Sequence, residues 1–388
     1  MSINTDIVII GGGIIGASTA HYLTNAGQKN VVLCEQDRPP GIGATKMSGG
    51  LIRMNHTNDI QTKLAWKSYS VFSNWSEIIG GSCDFNQSGF ALLAGDNSKK
   101  NLFKNVCEMQ KIGIPTTLIT PDDFKKMQPY VSMKGVSSIA YEPMSGYGDP
   151  ALAAASFINR AKQNGLELLE GTKVIELLVE GEKVKGVKTN IGDIYSEKVI
   201  LCGGAWTAQL LQPLNVAIPL QRKQIGISFF KWRKDNQSNP LLTYIDDTKG
   251  CYFRSLSKDQ ILVGVSANNQ ESRSDELRDV LSTEDINKAY KSITQRISPK
   301  SFKPMGGRCG FDAYTPDKHP IIGNLNEVDG VYLATGFSGG GFKISPAVGQ
   351  EIANELLEEK RSDLLTQLRL DRFEKKNLIK PKTPYLYM

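Results

Sequence analysis

The amino-terminal segment joins an apolar strand to a glycine-rich turn, an apolar helix and a second strand that ends at an acid. The first strand is Ile7–Ile10, the turn is Gly11–Gly16, and the second strand is Val31–Glu35. A helix that starts in such a turn presents free N–H groups and a partial positive charge to phosphates. The order and spacing of these parts therefore predict a βαβ unit that binds a dinucleotide.

Three glycines of the turn have separate predicted roles. Gly11 permits the tight turn, Gly13 lets the backbone approach a pyrophosphate, and Gly16 allows the helix and the strand to pack closely. Glu35 stands where an acid accepts a hydrogen bond from a ribose hydroxyl. A purely structural strand–turn–helix is the alternative, but the acid at the end of the second strand favours the dinucleotide site.

Size, charge and the reactive residue types exclude several other classes of protein. The 388 residues suffice for two or three domain-sized units, and Lys and Arg exceed Asp and Glu by only 6. No basic stripe and no long apolar run occur, so we expect no nucleic-acid partner, no transmembrane segment and a cytoplasmic location. The six cysteines contain no CxxC pair and the three histidines have no metal-ligand spacing. We therefore expect free thiols, no metal site and a mechanism without a histidine network.

Dinucleotide-type features recur in the middle of the chain, where a helix from Asp149-Pro150 to Asn164-Gly165 precedes several short strands and a buried strand that stops at Gly203-Gly204. Between these features, alternating patterns around 226–230, 251–254 and 261–265 predict antiparallel strands. A single continuous domain is the alternative to the division that we expect. That division is a discontinuous dinucleotide-binding domain (1–80, 146–215 and 304–370), a second domain (81–145 and 216–303) and a tail (371–388).

The carboxyl-terminal third contains the segment Thr315-Pro316-Asp317-Lys318-His319-Pro320-Ile321-Ile322-Gly323, and then a strand that runs into Gly336 and a second glycine-rich turn. Ser345-Pro346 is typical of a helix N-cap followed by proline in the first helical position. We therefore expect a second helix N-terminus here, which would stabilise negative charge on a bound group.

With these motifs the chain resembles the D-amino-acid oxidase superfamily of FAD enzymes. It is most similar to the branch of glycine oxidase, the sarcosine oxidases and the β subunits of amino-acid dehydrogenases. The resemblance rests on Gly11–Gly16 with Glu35, on Gly49–Arg53, on Gly203–Trp206 and on the two carboxyl-terminal blocks. It implies an α/β fold in which a Rossmann-like FAD-binding domain lies beside an antiparallel-sheet (α+β) substrate domain, with FAD held non-covalently between them.

The resemblance also implies which residues lie at FAD. The loop Ala44-Thr45-Lys46 passes near the flavin, and the loop from Gly339 to Phe342 lies at its pyrimidine side. The full set of implied FAD-binding residues is Gly11, Gly13, Ile14, Ile15, Gly16, Glu35, Gln36, Ala44, Thr45, Lys46, Ser48, Gly49, Gly50, Leu51, Val174, Gly203, Gly204, Trp206, Gly310, Gly336, Gly339, Gly340, Gly341, Phe342 and Lys343.

Arg53 and Lys343 are the implied catalytic residues, because they fall where sarcosine-type enzymes hold the substrate carboxylate. A guanidinium fork fixes the orientation of a carboxylate, and an ammonium adds charge without demanding planarity. The alternatives are a structural ion pair for Arg53 and a solvated lysine for Lys343.

The chain departs from the family at three positions. Asp312 replaces an arginine of glycine oxidase-like relatives, and it either lines the pocket or pairs with a base such as Arg308. Gly310 fills the position of the cysteine that attaches flavin covalently, although Cys309 is its neighbour. Leu262 falls where sarcosine oxidases place a lysine that assists reaction with oxygen, which favours a different electron acceptor.

The resemblance implies oxidation of the C–N bond of a small amino acid or N-alkyl amino acid, similar to glycine, sarcosine or proline, by hydride transfer to flavin. The resulting imine then hydrolyses. Two alternatives stay open. The chain is either the catalytic subunit of a dye-linked dehydrogenase complex with an electron-acceptor protein or partner subunit, or a flavin-binding protein without chemistry.

Overall fold

The computed structural model describes residues 3–41, 43–232, 240–265, 280–298, 302–358 and 362–385. Parts of the expected second domain and the last three residues of the tail lie outside the described residues. Within these ranges the strands are β1 (Ile3–Asn4), β2 (Ile7–Ile10), β3 (Val31–Glu35), β4 (Leu51–Ile52), β5 (Phe90–Ala94), β6 (Thr117–Ile119), β7 (Ser138–Glu142), β8 (Gly146–Tyr147), β9 (Glu167–Glu170), β10 (Val174–Glu180), β11 (Lys183–Thr189), β12 (Gly192–Tyr195), β13 (Lys198–Leu201), β14 (Gln221–Trp232), β15 (Thr243–Asp246), β16 (Cys251–Ser257), β17 (Gln260–Val265), β18 (Phe302–Tyr314), β19 (Ile321–Asn324) and β20 (Val331–Thr335).

The α-helices of the same ranges are α1 (Ile14–Asn25), α2 (Ala44–Met47), α3 (Asp59–Ser73), α4 (Trp75–Ile78), α5 (Asp96–Lys111), α6 (Pro121–Met127), α7 (Pro150–Gln163), α8 (Thr207–Leu211), α9 (Thr283–Thr294), α10 (Gly341–Glu358) and α11 (Asp371–Glu374).

A six-stranded sheet with the order β19-β20-β13-β2-β3-β9 forms the centre of the fold, and its strands are parallel apart from β19. Strands β2 and β3 are buried at every position, because layers cover both faces of the sheet. Ile7 and Ile9 pack against the helices α1, α3, α7 and α10, whereas Val8 and Ile10 pack towards a four-stranded sheet with the order β1-β12-β11-β10. This layering confirms the predicted α/β, Rossmann-like part of the fold.

An eight-stranded sheet with the order β18-β14-β17-β16-β15-β5-β7-β6 forms the second part of the molecule. Its pairs are antiparallel apart from β5 with β15, so the predicted antiparallel strands at 226–230, 251–254 and 261–265 are confirmed. Residues 304–314, which the sequence analysis assigned to the FAD-binding part, pair with β14 in this sheet. The domain boundaries themselves stay a prediction.

The predicted start of α10 at Ser345-Pro346 was wrong. The helix begins at Gly341, and Pro346 lies inside it. Proline has no N–H to donate to the carbonyl four residues earlier, which belongs to Phe342. The Ser345 hydroxyl donates to that carbonyl instead, at 2.8 Å. The serine therefore compensates for the proline inside the helix, and the helix N-terminus lies in the glycines 339–341.

Five of the six cysteines are buried, and Cys107 is partly exposed. None of the helices in the described ranges combines the length and the apolar character that crossing a bilayer requires.

Candidate active site

A cavity of about 1230 Å³ lies where the carboxyl ends of β2, β3 and β13 face the strands β14 and β18 of the eight-stranded sheet. Ligands of open α/β sheets bind at such strand ends. Most of the expected site residues line this cavity, namely Gly11, Gly13, Ile14, Ile15, Glu35, Gln36, Ala44, Thr45, Ser48, Gly49, Gly50, Leu51, Arg53, Val174, Gly203, Gly204, Trp206, Gly336, Gly339, Gly340, Gly341, Phe342 and Lys343.

Gly16, Lys46 and Gly310 are the expected site residues that do not line the cavity. A Cβ on Gly16 would lie 2.0 Å from the Gly11 carbonyl oxygen, so this glycine serves the packing of the turn itself. Lys46 is exposed on α2, and Gly310 lies within β18 opposite Ile225 of β14. The structure therefore gives Lys46 and Gly310 no direct contact with the cavity.

The glycine turn leaves its backbone open to the cavity at Gly13 but not at Gly11. Gly11 has φ +104°, and a Cβ there would lie 2.6 Å from the carbonyl oxygen of Cys202. A Cβ on Gly13 would meet only the Thr45 hydroxyl within 4 Å, at 3.2 Å. That hydroxyl accepts the Ile14 N–H at 2.9 Å, so Thr45 already binds one free donor of α1. A phosphate can approach beside Gly13, where no backbone atom blocks it.

Glu35 is buried at the end of β3, where its carboxylate orders the turn around it. One oxygen accepts the Gly12 N–H at 2.7 Å, and the other accepts the Asp37 N–H at 3.0 Å. A carboxylate has about four acceptor sites, so both oxygens keep capacity for further donors such as ribose hydroxyls.

Arg53 is buried just after β4, and its guanidinium carbon lies 5.7 Å from the centroid of the Phe90 ring. The buried Glu142 carboxylate lies near it and accepts the Met54 N–H at 2.9 Å and the Ser145 hydroxyl. Burial raises the pKa of Glu142, whereas Ser145, Met54 and Arg53 oppose that rise. Sequence reasoning missed Glu142, because a lone acid in a strand carries no motif.

Lys343 lies in the first turn of α10, where its Nζ donates to the Gly339 carbonyl oxygen at 3.3 Å. The pKa of Lys343 is lowered to about 7, chiefly by burial and also by the nearby Arg53, whereas Asp312 acts in the opposite direction. Lys343 therefore changes its charge near neutral pH, which a solvated lysine does not do.

Asp312 lies beside Lys343, because both side chains bind the peptide units of Gly339. Its carboxylate accepts the N–H groups of Gly339 at 2.7 Å and of Ala313 at 2.8 Å. Burial raises the pKa of Asp312 to about 6, although those two bonds and Lys343 act in the opposite direction. The Arg308 guanidinium lies over the Phe229 ring instead, so the geometry favours the cavity role that the sequence left open.

The cavity contains residues that sequence reasoning did not place there. Two of the three histidines, His56 and His319, line it, and their position does not test the expectation of a mechanism without a histidine network. They are far apart in the chain, so no spacing could reveal them. The tail also contributes lining residues at Leu378–Pro381, and the Ile379 N–H donates to Asp317 at 3.2 Å.

Leu262 does not line the cavity, although the resemblance placed it at the position of an oxygen-assisting lysine. It is buried in β17 between Phe229 of β14 and Arg254 of β16. Lys223 does line the cavity, with its Nζ 5.0 Å from the centroid of the Tyr314 ring. The electron acceptor other than oxygen that Leu262 led us to expect stays a prediction.

The sequence profile of the family described as FAD dependent oxidoreductase matches residues 6–355. The chain belongs to this family. FAD is therefore its cofactor, and the family and cofactor implied by the sequence are confirmed. The structure of L-proline dehydrogenase from P. horikoshii is similar to the chain with 30% identity and a TM-score of 0.88, and the match covers 98% of this chain and 100% of that chain.

Two curated relatives are similar over most of this chain. The sarcosine oxidase subunit beta of Arthrobacter sp is 24% identical, covering 96% of this chain and 92% of that protein. The 4-methylaminobutanoate oxidase (formaldehyde-forming) of Paenarthrobacter nicotinovorans is 27% identical, covering 89% of this chain but 43% of that protein. The chain thus spans less than half the length of some of the curated relatives it matches.

The residues of the cavity fit FAD. The open backbone at Gly13 and the N-terminus of α1 suit the pyrophosphate, and the buried Glu35 carboxylate suits the ribose. The glycines 339–341 deliver the N-terminus of α10 to the same cavity, where it can stabilise negative charge.

Proposed function

We propose that this chain oxidises the C–N bond of a small amino acid or N-alkyl amino acid, of the kind represented by glycine, sarcosine and proline. One observation carries the proposal. Arg53 and Lys343, from distant parts of the chain, are both buried basic side chains and line the same cavity as the glycine turn. The chain is similar to proteins whose names refer to proline, sarcosine and 4-methylaminobutanoate, and this similarity supports the proposed class of substrate.

Arg53 binds the substrate carboxylate through its planar fork, and Lys343 adds a second charge. The carboxylate in turn favours the protonated form of Lys343, because a nearby anion raises the pKa of a lysine. The two cations lower the pKa of the substrate amine, which helps it to react in its neutral form. When bound, FAD would supply the acceptor for the hydride of the substrate carbon, and water would hydrolyse the resulting imine to a carbonyl compound and an amine.

Anaerobic mixing of the holoenzyme with a panel of glycine, sarcosine, proline and larger amino acids tests the proposal. We expect at least one small amino acid to bleach the FAD absorbance, and the matched carboxylic acids without nitrogen to leave it unchanged. An FAD spectrum that no amino acid alters would contradict the proposal.

A subunit of an amino-acid dehydrogenase complex is the second candidate function, and the similarity to a sarcosine oxidase subunit beta supports it. Such a subunit would be bleached by substrate but would turn over in air only slowly without its partner or a dye. A flavin-binding protein without chemistry is the third candidate, and it would keep its FAD oxidised with the whole panel.

We also propose that FAD is held without a covalent bond. Cys309 is buried in β18 and, like Gly310, does not line the cavity. Acid precipitation should release FAD into the supernatant, and yellow colour that stays with the precipitated protein would contradict this proposal.

A further inference from the structure

His56 is a buried side chain near Arg53 and Lys343 that has no role in the proposed function. It is 4% exposed and lines the cavity, and its Nε2 atom has no hydrogen-bond partner among the described residues. Leaving a buried polar atom unpaired costs free energy, so such an atom at a ligand cavity indicates a ligand group that pairs with it.

The groups that face His56 come from several elements. Arg53 follows β4, Lys343 lies in α10, His319 precedes β19, and Gln61 belongs to α3. Burial and the three basic groups lower the pKa of His56, and only the hydrogen bond to Gln61 raises it. The imidazole is therefore neutral at physiological pH and has one acceptor nitrogen.

The partner of the second imidazole nitrogen decides which nitrogen accepts. Gln61 is the hydrogen-bonding side chain beside His56, and its amide oxygen can accept an N–H of the imidazole ring. Nε2 is the unpaired atom, so with the ring proton on Nδ1 the free acceptor is Nε2. His319 has the same tautomer, because its Nδ1 lies 2.6 Å from the Asp317 carbonyl, which can only accept.

We propose that His56 is a specificity-determining residue whose Nε2 accepts the N–H of the substrate nitrogen, while Arg53 and Lys343 hold the carboxylate. The inference rests on the proposed function. An α-amino acid places its nitrogen and its carboxylate on one carbon, so a site with two cations for the acid needs an uncharged acceptor nearby for the nitrogen. His56 meets that requirement, whereas a carboxylate there would pair with the cations and compete with the substrate.

Binding of two ring acids to the holoenzyme tests the inference without turnover. Pyrrole-2-carboxylate and furan-2-carboxylate have the same shape, but only the first has an N–H beside the carboxylate. Isothermal titration calorimetry should give a dissociation constant for the pyrrole acid about three- to tenfold lower than for the furan acid. In His56→Leu this preference should vanish, with the furan acid bound within about threefold of the wild-type affinity.

Two further variants keep the test decisive. His56→Asn retains an acceptor oxygen and should keep part of the preference, even if the leucine variant folds poorly. His21 is the matched control, since it is a buried histidine of α1 outside the cavity lining, and His21→Gln should keep the full preference. FAD content reports folding in each protein.

The outcomes separate the inference from the proposed function. An unchanged preference in a folded His56→Leu, or a wild-type protein that binds both acids equally, would overturn the role of His56 alone. A wild-type protein that binds neither acid would overturn the carboxylate site of the proposed function, and the inference with it.

Discussion

The two ends of the cavity are built in different ways. The glycine-turn end, formed by Gly11, Gly13 and Glu35, comes from one continuous βαβ unit and uses backbone groups together with one carboxylate. The charged end, formed by Arg53, Lys343, Asp312 and His56, comes from separate segments of the chain and uses buried ionisable side chains. Close backbone packing determines the geometry of the first end. At the second end, neighbouring buried side chains shift one another's pKa.

This difference has an energetic consequence. A turn of N–H groups and glycines has no charge that responds to pH between about 5 and 9. The pKa of Lys343 is instead lowered to about 7 and that of Asp312 raised to about 6, both chiefly by burial. Variants at the glycine-turn end should therefore alter folding and FAD binding, and variants at the charged end should alter ligand binding and its pH dependence.

The largest effect is expected for Gly16→Ala. Its Cβ would lie 2.0 Å from the backbone oxygen of Gly11, so the turn must move. We expect a loss of about 3 kcal/mol in the free energy of unfolding of the apoprotein, together with loss of FAD. Urea unfolding and the FAD absorbance of the purified protein measure the two effects.

Gly13→Ala is the matched control for that variant, because its Cβ meets no backbone atom within 4 Å. The apoprotein should keep its free energy of unfolding within about 0.5 kcal/mol, while FAD affinity falls at least about tenfold. Equal losses of stability in both variants would contradict the separate roles assigned to the two glycines.

Arg53→Leu should give the next largest effect, and it should act at the charged end alone. Removing one partner of a buried charged pair costs about 2–5 kcal/mol, so carboxylate affinity should fall by about two orders of magnitude or more. Calorimetry with furan-2-carboxylate measures this, with FAD content unchanged. Arg308→Leu is the control, since Arg308 does not line the cavity. A loss below about threefold in Arg53→Leu would assign Arg53 to structure.

The sequence predicted the glycine-turn end in detail, because a strand, a turn and a helix that are adjacent in the chain need no knowledge of tertiary contacts. It predicted Arg53 and Lys343 only through the family resemblance. The arrangement of His56 and His319 at the cavity, and of Glu142 near Arg53, could not be predicted, since it depends on which distant segments the fold brings together. The start of α10 was misplaced, because Ser345 and Pro346 have the same local pattern at a helix cap and inside a helix that the serine stabilises.

Lys343→Met should have a moderate effect that depends on pH. In the wild type, carboxylate affinity should fall as pH rises above about 7, because the free lysine loses its proton there, and in Lys343→Met this pH dependence should disappear. We also expect a lower FAD reduction potential, since a nearby cation favours the anionic reduced form. A substrate effect without any change in potential would remove that second role.

The stability of Lys343→Met should change with pH in a defined direction. The folded pKa of about 7 lies below the ordinary lysine pKa of 10.5, so the folded state binds fewer protons between these values. The buried lysine therefore costs stability fully below about pH 7, and the cost declines as pH rises towards 10.5. Lys343→Met should exceed the wild type in free energy of unfolding at about pH 6, and this difference should shrink by about pH 10.

Asp312→Asn should have the smallest effect. Loss of its charge lowers the pKa of Lys343 further, so carboxylate affinity at about pH 7 should fall about two- to fivefold. If Asp312 also meets the substrate, the variant should lose a preference for amino acids that carry a second amine. Unchanged selectivity with lower stability would limit Asp312 to holding the Gly339 loop.

The central claim is that the charged end presents a small amino acid to FAD for oxidation. Anaerobic titration of the wild-type holoenzyme with glycine, sarcosine and proline, followed by analysis of the product, tests it most directly. We predict that one of these compounds removes the oxidised FAD absorbance and yields one equivalent of imine-derived product per FAD. FAD that stays oxidised with all three, or that is bleached equally by acids without nitrogen, would contradict the claim.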